Sequence, residues 1–272
     1  MKNIQYISLL FILMLFASCE EVVNVDLDTA PPRLVVEASI DWVKGTSGSD
    51  QTIKLTKTRG YYDTVIPIVE GATVFVTNST GEVFNFTEEA GTGRYNCTNF
   101  RPVVNETYVL TVVSEGQTYT ATEKMYAAPD ITRTIQNNEG GILGENIEIR
   151  FFYNDFPGQD NYYLTRFEAP VIPFPEYELA DDEFFQGNEM FDWFSDEDLA
   201  PGHVVSIRLH GISQRYYEYM NVLLEAAGGG GGPFSAVPVA ARGNLVNQDN
   251  TANYALGYFR LCEVSALQVT VQ

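Results

Sequence analysis

The sequence predicts an all-β protein, mainly β with one α-helix. Three observations predict it. Runs rich in Val, Thr, Tyr and Phe alternate apolar with polar residues. Gly, Asn and Ser clusters break those runs at close spacing, which is hairpin chemistry. Only residues 213–227 carry apolar side chains at convincing helical spacing. Residues 33–126 are therefore expected to form an Ig-like or transthyretin-like β-sandwich. Residues 130–272 are expected to form a second β-rich domain with a helix near 213–227.

The chain opens with Lys2, an apolar run from Leu9 to Phe16, then Ala17-Ser18-Cys19. A basic head, a short apolar stretch and small residues before a cut are the parts of a secretory signal. The run is short for a bilayer span, which takes about 20 apolar residues. Residues 1–18 are read as the signal peptide and 19–32 as a tether. Residues 15–19 resemble the lipobox of bacterial lipoproteins, which implies acylation at Cys19. Phe16 departs from the aliphatic residue usual at its place. Glu20, Glu21, Asp26 and Asp28 make the tether acidic, and Pro31-Pro32 closes it.

Strands are then expected at 33–40, 51–58, 72–77, 82–87, 94–98, 107–113 and 117–123. Asn78-Ser79-Thr80-Gly81 and Ser114-Glu115-Gly116 supply two of the turns. Ala127-Ala128-Pro129-Asp130 marks the expected boundary. Beyond it strands are expected at 131–136, 146–153, 161–168, 203–209, 254–262 and 264–271. No strand is assigned to 170–201, which holds four prolines. Ser213 is a fair N-cap for the helix, with Tyr216, Tyr219 or Met220, Leu223 and Leu224 on one face. Gly228–Gly232 ends it.

These pieces, in this order, resemble the DUF4249 family of Bacteroidota lipoproteins. The likeness is carried by Cys19-Glu20-Glu21, Val25-Asp26-Leu27, Leu34-Val35-Val36-Glu37, Gly71-Ala72-Thr73-Val74 and Gly93-Arg94-Tyr95. Tyr108 to Val112, Ser213 to Tyr219, Gly232-Pro233-Phe234, Gly243-Asn244 and Gly257-Tyr258-Phe259 continue it. The resemblance implies an outer-membrane location. It also implies a partner, a TonB-dependent outer-membrane transporter, because family members occur beside such transporters. Acidic residues after the cysteine resemble an export signal to the cell exterior. Asp28-Thr29-Ala30 and Asp63-Thr64-Val65 resemble a short O-glycosylation motif of that phylum, with Thr29 and Thr64 as acceptors.

Composition excludes some functions. Formal charge is −20, and −21 once the signal with its single Lys2 is gone. So acidic a surface repels phosphate backbones, so nucleic acid is not expected as a partner. Attachment to the membrane would come from acyl chains, not from basic residues. Cys97 and Cys262 are read as buried free thiols, with a disulfide between them in an oxidising compartment as the alternative; no CxxC pair offers a zinc or redox site. His203 and His210 lie seven apart on one expected strand, on opposite faces, which disfavours a two-histidine metal site. No cofactor is expected.

The stretch 176–198 holds ten carboxylates and no Lys or Arg. Asp181, Asp182, Glu183, Asp196 and Asp198 are weak calcium candidates, since they lack the spaced loop that supplies 6–8 oxygen ligands, roughly speaking. Phe191, Trp193 and Phe194 are candidates for docking a partner or ligand; packing into the core is the competing reading. The expected function is a non-catalytic accessory lipoprotein that helps a transporter capture nutrient. A surface hydrolase using paired carboxylates and a structural or adhesive envelope module are the alternatives.

Overall fold

The computed structural model describes residues 31–60, 62–227 and 241–272. Cys19, Thr29, the signal segment, most of the tether and the glycine run at 228–232 lie outside the described residues.

The first sandwich is built from short strands whose alternation buries every second side chain. One layer contains β1 (Leu34–Val43), β2 (Gln51–Lys57), β4 (Val83–Glu89) and β5 (Arg94–Cys97). The other contains β3 (Thr73–Asn78), β6 (Thr107–Ser114) and β7 (Gln117–Tyr126), with β4 shared between layers. Val36, Ile40, Ile53 and Leu55 meet Val76, Phe84, Leu110 and Val112 in the core. Residues Glu115 and Gly116 both take positive φ, the two-residue turn that matches strand twist.

The second half adds β8 (Ile131–Gly140), β9 (Asn146–Asn154), β10 (Tyr162–Glu168), β11 (Glu176–Asp181) and β12 (Glu189–Asp196). After these come β13 (Val204–Ile212), helix α1 (Gln214–Ala227), the two-residue β14 (Val246–Asn247) and β15 (Leu256–Thr270). Strands β12, β9 and β8 form a separate three-stranded sheet. Ile149, Phe151 and Phe194 from that sheet pack against Phe167, Ile207 and Leu209 of β10 and β13. Helix α1 covers the opposite face of β10 and β13 through Tyr216 and Met220, which meet Leu164, Ile212 and Tyr258. The Ser213 hydroxyl accepts from the Tyr216 amide at 3.2 Å and so caps the helix.

Strand β15 joins the two halves. Its first part runs parallel to β1, from Val35↔Leu256 to Val43↔Val264. Its second part runs antiparallel to β13, from His210↔Val264 to Val204↔Thr270. Leu261 and Cys262 also pair with Met125 and Tyr126 of β7. Leu245, Ala255, Phe259 and Leu261 thereby enter the first core. The Asn244 side chain imitates a strand neighbour, donating to the Phe259 carbonyl at 2.7 Å and accepting from its amide at 2.9 Å.

Three expectations need correction. Residues 170–201 are not without strands; β11 and β12 lie within them. Those residues escaped assignment because acids and prolines dominate an edge strand that solvent reaches. The expected strands 254–262 and 264–271 are one strand, because the ladder with β1 runs on through Trp42↔Glu263 to Val43↔Val264, while the Glu263 carboxylate reaches Lys44 at 3.5 Å. On α1, Leu223 is exposed, while Tyr217, Tyr219 and Leu224 pack inward.

Where β1, β13, β15 and α1 meet, polar groups gather, with Arg260, His210 and Cys262 buried and Asp41 partly exposed. Arg260 Nη1 donates to Asp41 Oδ1 at 2.6 Å and lies 2.7 Å from Cys262 Sγ. Cys262 Sγ donates to Asp41 Oδ1 at 3.3 Å. His210 Nε2 is 3.7 Å from Asp41 Oδ2, and its Nδ1 meets the Leu164 carbonyl at 3.0 Å. Burial pushes the Asp41 carboxyl up, but Arg260 and His210 outweigh it and hold it well below the usual carboxylate range. Burial pushes the Cys262 thiol well up, which removes it as a nucleophile.

Two outcomes follow for stability. Gly257 has φ +90°, and a Cβ there would overlap the Val36 carbonyl. Gly257→Ala is expected to destabilise the fold by about 3 kcal/mol, read as a lower urea midpoint at unchanged slope. Asp41→Asn leaves Arg260 buried without its counter-charge and is expected to cost about 3–5 kcal/mol at neutral pH. Because the folded pKa of Asp41 is depressed, its contribution is full above about pH 4 and fades as pH falls through the folded value. The gap between wild type and Asp41→Asn in denaturant titrations should therefore narrow on acidification.

Candidate functional site

The acidic stretch folds by the rule of alternation. On β11, Tyr177 and Leu179 pack toward α1, while Ala180 faces the core of the second sandwich. Glu176 and Glu178 share the inward parity of Ala180 and look toward β12 from the sheet edge. Burial raises the Glu178 carboxyl, and the Asp192 charge adds to that rise. Burial also raises Asp192, against hydrogen bonds from the Trp193 amide and Thr165. Burial, then Asp196 and Glu178, raise Glu176. Acids therefore line the open edge of the second sandwich, and no cation among the described residues offsets these three.

The five weak metal candidates do not converge. Asp181, Asp182 and Glu183 line a cavity of about 320 Å³ with Asp160, Tyr162 and Gln186. Asp182 is only 3% exposed, and its carboxylate is held by the Asn161 amide at 3.1 Å. Asp181 accepts from the Tyr217 hydroxyl at 3.0 Å. Asp196 ends β12 and Asp198 sits in the turn after it, where Asp196 Oδ1 accepts from the Asp198 amide at 2.9 Å. Eight residues of β12, about 25 Å of strand, separate the two groups. Among the described residues no three His, Cys, Asp or Glu are placed to hold a metal ion.

The aromatic trio splits by parity. Phe191 is 51% exposed and Trp193 half-buried, both on the outer face of β12. Phe194 is a correction: it is 2% exposed and packs on Phe167 at 5.6 Å, so it is core and not a docking residue. The outer face continues onto β9 and β8. Arg133 lies 3.4 Å over the Phe152 ring and Arg150 4.7 Å over Phe191, with Phe152 and Phe191 5.8 Å apart. At the β8–β9 tip, Ile142 and Leu143 stand 92% and 83% exposed beside Trp193 in a second cavity of about 500 Å³. Thr64 is exposed in the loop before Ile68. His203 precedes β13, where its Nδ1 accepts from the Ala200 amide at 3.3 Å, and His210 is buried in the polar knot.

Sequence reasoning missed one cleft. A half-open cavity of about 450 Å³ lies where the end of β7, the β9–β10 loop and the end of β13 meet. Lys124, Tyr126, Asn105, Asp160 and Tyr162 line it. The loop beneath is locked. Asn161 Nδ2 donates to the Phe156 and Gln159 carbonyls at 2.8 and 3.0 Å. Asp155 accepts from the Tyr163 hydroxyl at 2.5 Å and the Gly187 amide at 2.7 Å. No linear motif unites these segments; the one local signal is Asn105, whose φ of 69° marks a turn that suits Asn.

Two substitutions separate the faces of β12. Phe194→Ala is expected to cost about 3–5 kcal/mol of stability by opening the core. Phe191→Ser should cost less than about 1 kcal/mol, since it removes a half-exposed ring. Thermal or urea unfolding of both variants checks the assignment; equal losses would overturn it.

Comparison with known proteins gives one broad match. No curated protein matches the chain by sequence. Among solved structures, a two fibronectin type-III domain segment of chicken tenascin aligns at TM-score 0.22 and 11% identity, over 66% of this chain and 90% of that one. The FN1–FN3 domains of chicken CNTN1 align at TM-score 0.26 and 14% identity, over 89% and 69%. A cytokine receptor complex aligns at TM-score 0.25 and 9% identity, over 87% and 95%. The model of the domain of unknown function DUF4249 matches residues 20–268, nearly the whole chain, and the chain belongs to that family.

Proposed function

We propose that this chain is a surface-exposed outer-membrane lipoprotein, anchored through Cys19, that acts without catalysis as the accessory partner of a TonB-dependent transporter in nutrient capture. The observation that carries the reading is the outer face of the three-stranded sheet. Exposed Phe191, half-buried Trp193, the Arg133-covered Phe152 ring and the apolar tip Ile142-Leu143 form one continuous aromatic and apolar patch. Aromatic and Arg side chains on a rigid sheet are the residues that anchor protein interfaces. The apolar tip beside them extends the patch beyond scattered single residues. Family membership supports the reading by the company that members keep; it supplies no chemistry.

The carboxylate-hydrolase alternative asks for one acid held protonated and a partner left ionised. Burial raises both Glu178 and Asp192, and neither lines any of the three cavities described above, which favours the binding reading.

Affinity purification of the tagged full chain from native outer membrane tests the proposal. A transporter barrel is expected to co-purify, and the Phe191→Ser, Trp193→Ser double variant to lose it while melting near the wild-type temperature. Intact mass of the mature chain should show a fatty-acylated Cys19, and Cys19→Ala should release the protein from the membrane fraction. An unmodified terminus, or a chain recovered alone in every pull-down, would end the proposal.

A further inference from the structure

We infer that the cleft between the end of β7 and the β9–β10 loop binds a neutral saccharide of one or two rings. The inference deepens the capture reading and rests on it for treating the protein as a binder. Its volume, about 450 Å³, falls within the rough 300–1,000 Å³ of small-ligand sites.

The polar groups around the cleft are unspent. Lys124 Nζ lies 4.7 Å over the Tyr126 ring and makes no ion pair among the described residues. The Asp160 carboxylate, the Asn105 side-chain amide, and the Tyr126 and Tyr162 hydroxyls have no hydrogen-bond partner there either. Gln159 spends only its Nε2, on Asn161 Oδ1 at 2.9 Å, and keeps its oxygen. The residues behind them are fully engaged, as the three bonds of the Asn161 amide nitrogen show. A locked supporting layer under an uncommitted lining is how a site is held ready for a ligand.

The mixture of groups selects the ligand. An apolar ligand would strip water from five or six polar groups and return nothing. An anion would meet Lys124, but also Asp160 and, through the adjoining cavity, Asp181, Asp182 and Glu183. A saccharide satisfies both sides. Its C–H faces lie on the tyrosine ring faces that Lys124 and Tyr217 leave open, and its hydroxyls donate to the carboxylate and accept from the ammonium and amide. A short peptide is the competing occupant.

The test uses the full lipidated chain in a detergent without a sugar headgroup. Maltose, cellobiose and N,N′-diacetylchitobiose are titrated by calorimetry and saturation-transfer NMR, with the tripeptide Ala-Glu-Ala as the competing probe. At least one disaccharide is expected to bind with a Kd of about 1 mM or tighter. Tyr162→Ala and Asp160→Asn should each weaken it about tenfold, and Val83→Thr, exposed on β4 away from the cleft, should leave it unchanged. Asp160 is exposed, so its variant folds even where Tyr162→Ala does not. Silence from all three sugars at about 10 mM, wild-type affinity in Asp160→Asn, or Ala-Glu-Ala displacing the sugar from the same residues would overturn the inference. Loss of the transporter in pull-downs leaves this result standing, and loss of sugar binding leaves the transporter result standing, so the two failures are distinct.

Discussion

The fold depends on one strand having two different neighbours along its length. Strand β15 completes the first sandwich as the parallel neighbour of β1 and the second as the antiparallel neighbour of β13. Val264 is the pivot, paired with Val43 and with His210. A slip of one residue against β1 would turn Phe259 and Leu261 out of the first core, because side chains alternate with period two. The same slip would move every residue pairing with β13. Register in either half thus fixes register in the other.

The buried knot around Arg260 enforces that register. Apolar packing already opposes a one-residue slip, and a guanidinium with one carboxylate in reach adds a second penalty on the opposite face. Such a pair is weak as a source of net stability, because desolvating both charges offsets most of their attraction. Its value is specificity. Asp41 pairs across the ladder with Cys262, so Arg260 and Cys262, two residues apart, meet it on one face. Tyr216 of α1 closes over the guanidinium at 5.4 Å, which ties the helix to the same point. Gly257, three residues before Arg260, and Gly243, which abuts the Gly257 carbonyl, leave room for the backbones to approach.

How much of this was legible in the sequence depends on how local the cause is. The β6–β7 hairpin was legible because its turn is written in Glu115-Gly116, and α1 because Ser213 caps it. Strand β11 was not, although Glu176-Tyr177-Glu178-Leu179 alternates, since acids on an edge read as loop. Once β12 is known as a strand, parity alone separates Phe191 from Phe194; without it the three aromatics look equivalent. The sharing of β15 between two cores has no local signature at all. The cleft is half hidden: the β6–β7 hairpin alone brings Asn105 beside Lys124, but Asp160 joins them only after β10 and β13 have been placed by β15.

The arrangement also bears on how binding and docking would divide the surface. The proposed sugar cleft lies where the first sandwich abuts the β9–β10 loop, and the aromatic patch lies on the outer face of β12, β9 and β8. Strand β9 connects them. Its outward Phe152 and Arg150 belong to the patch, its inward Phe151 and Tyr153 to the second core, and its end leads into the loop that holds Asn161. Tyr153 meets Tyr163 at 5.2 Å, and Tyr163 donates to Asp155 at the base of that loop. A ligand at one site and a partner at the other would therefore load the same strand through packed rings and a short hydrogen bond. Such a path carries coupling only if β9 has two arrangements. The hydrogen bonds of Asn161 and Asp155 favour a single one. Rigid presentation, with a filled cleft held beside a docked face, is the mode this packing favours.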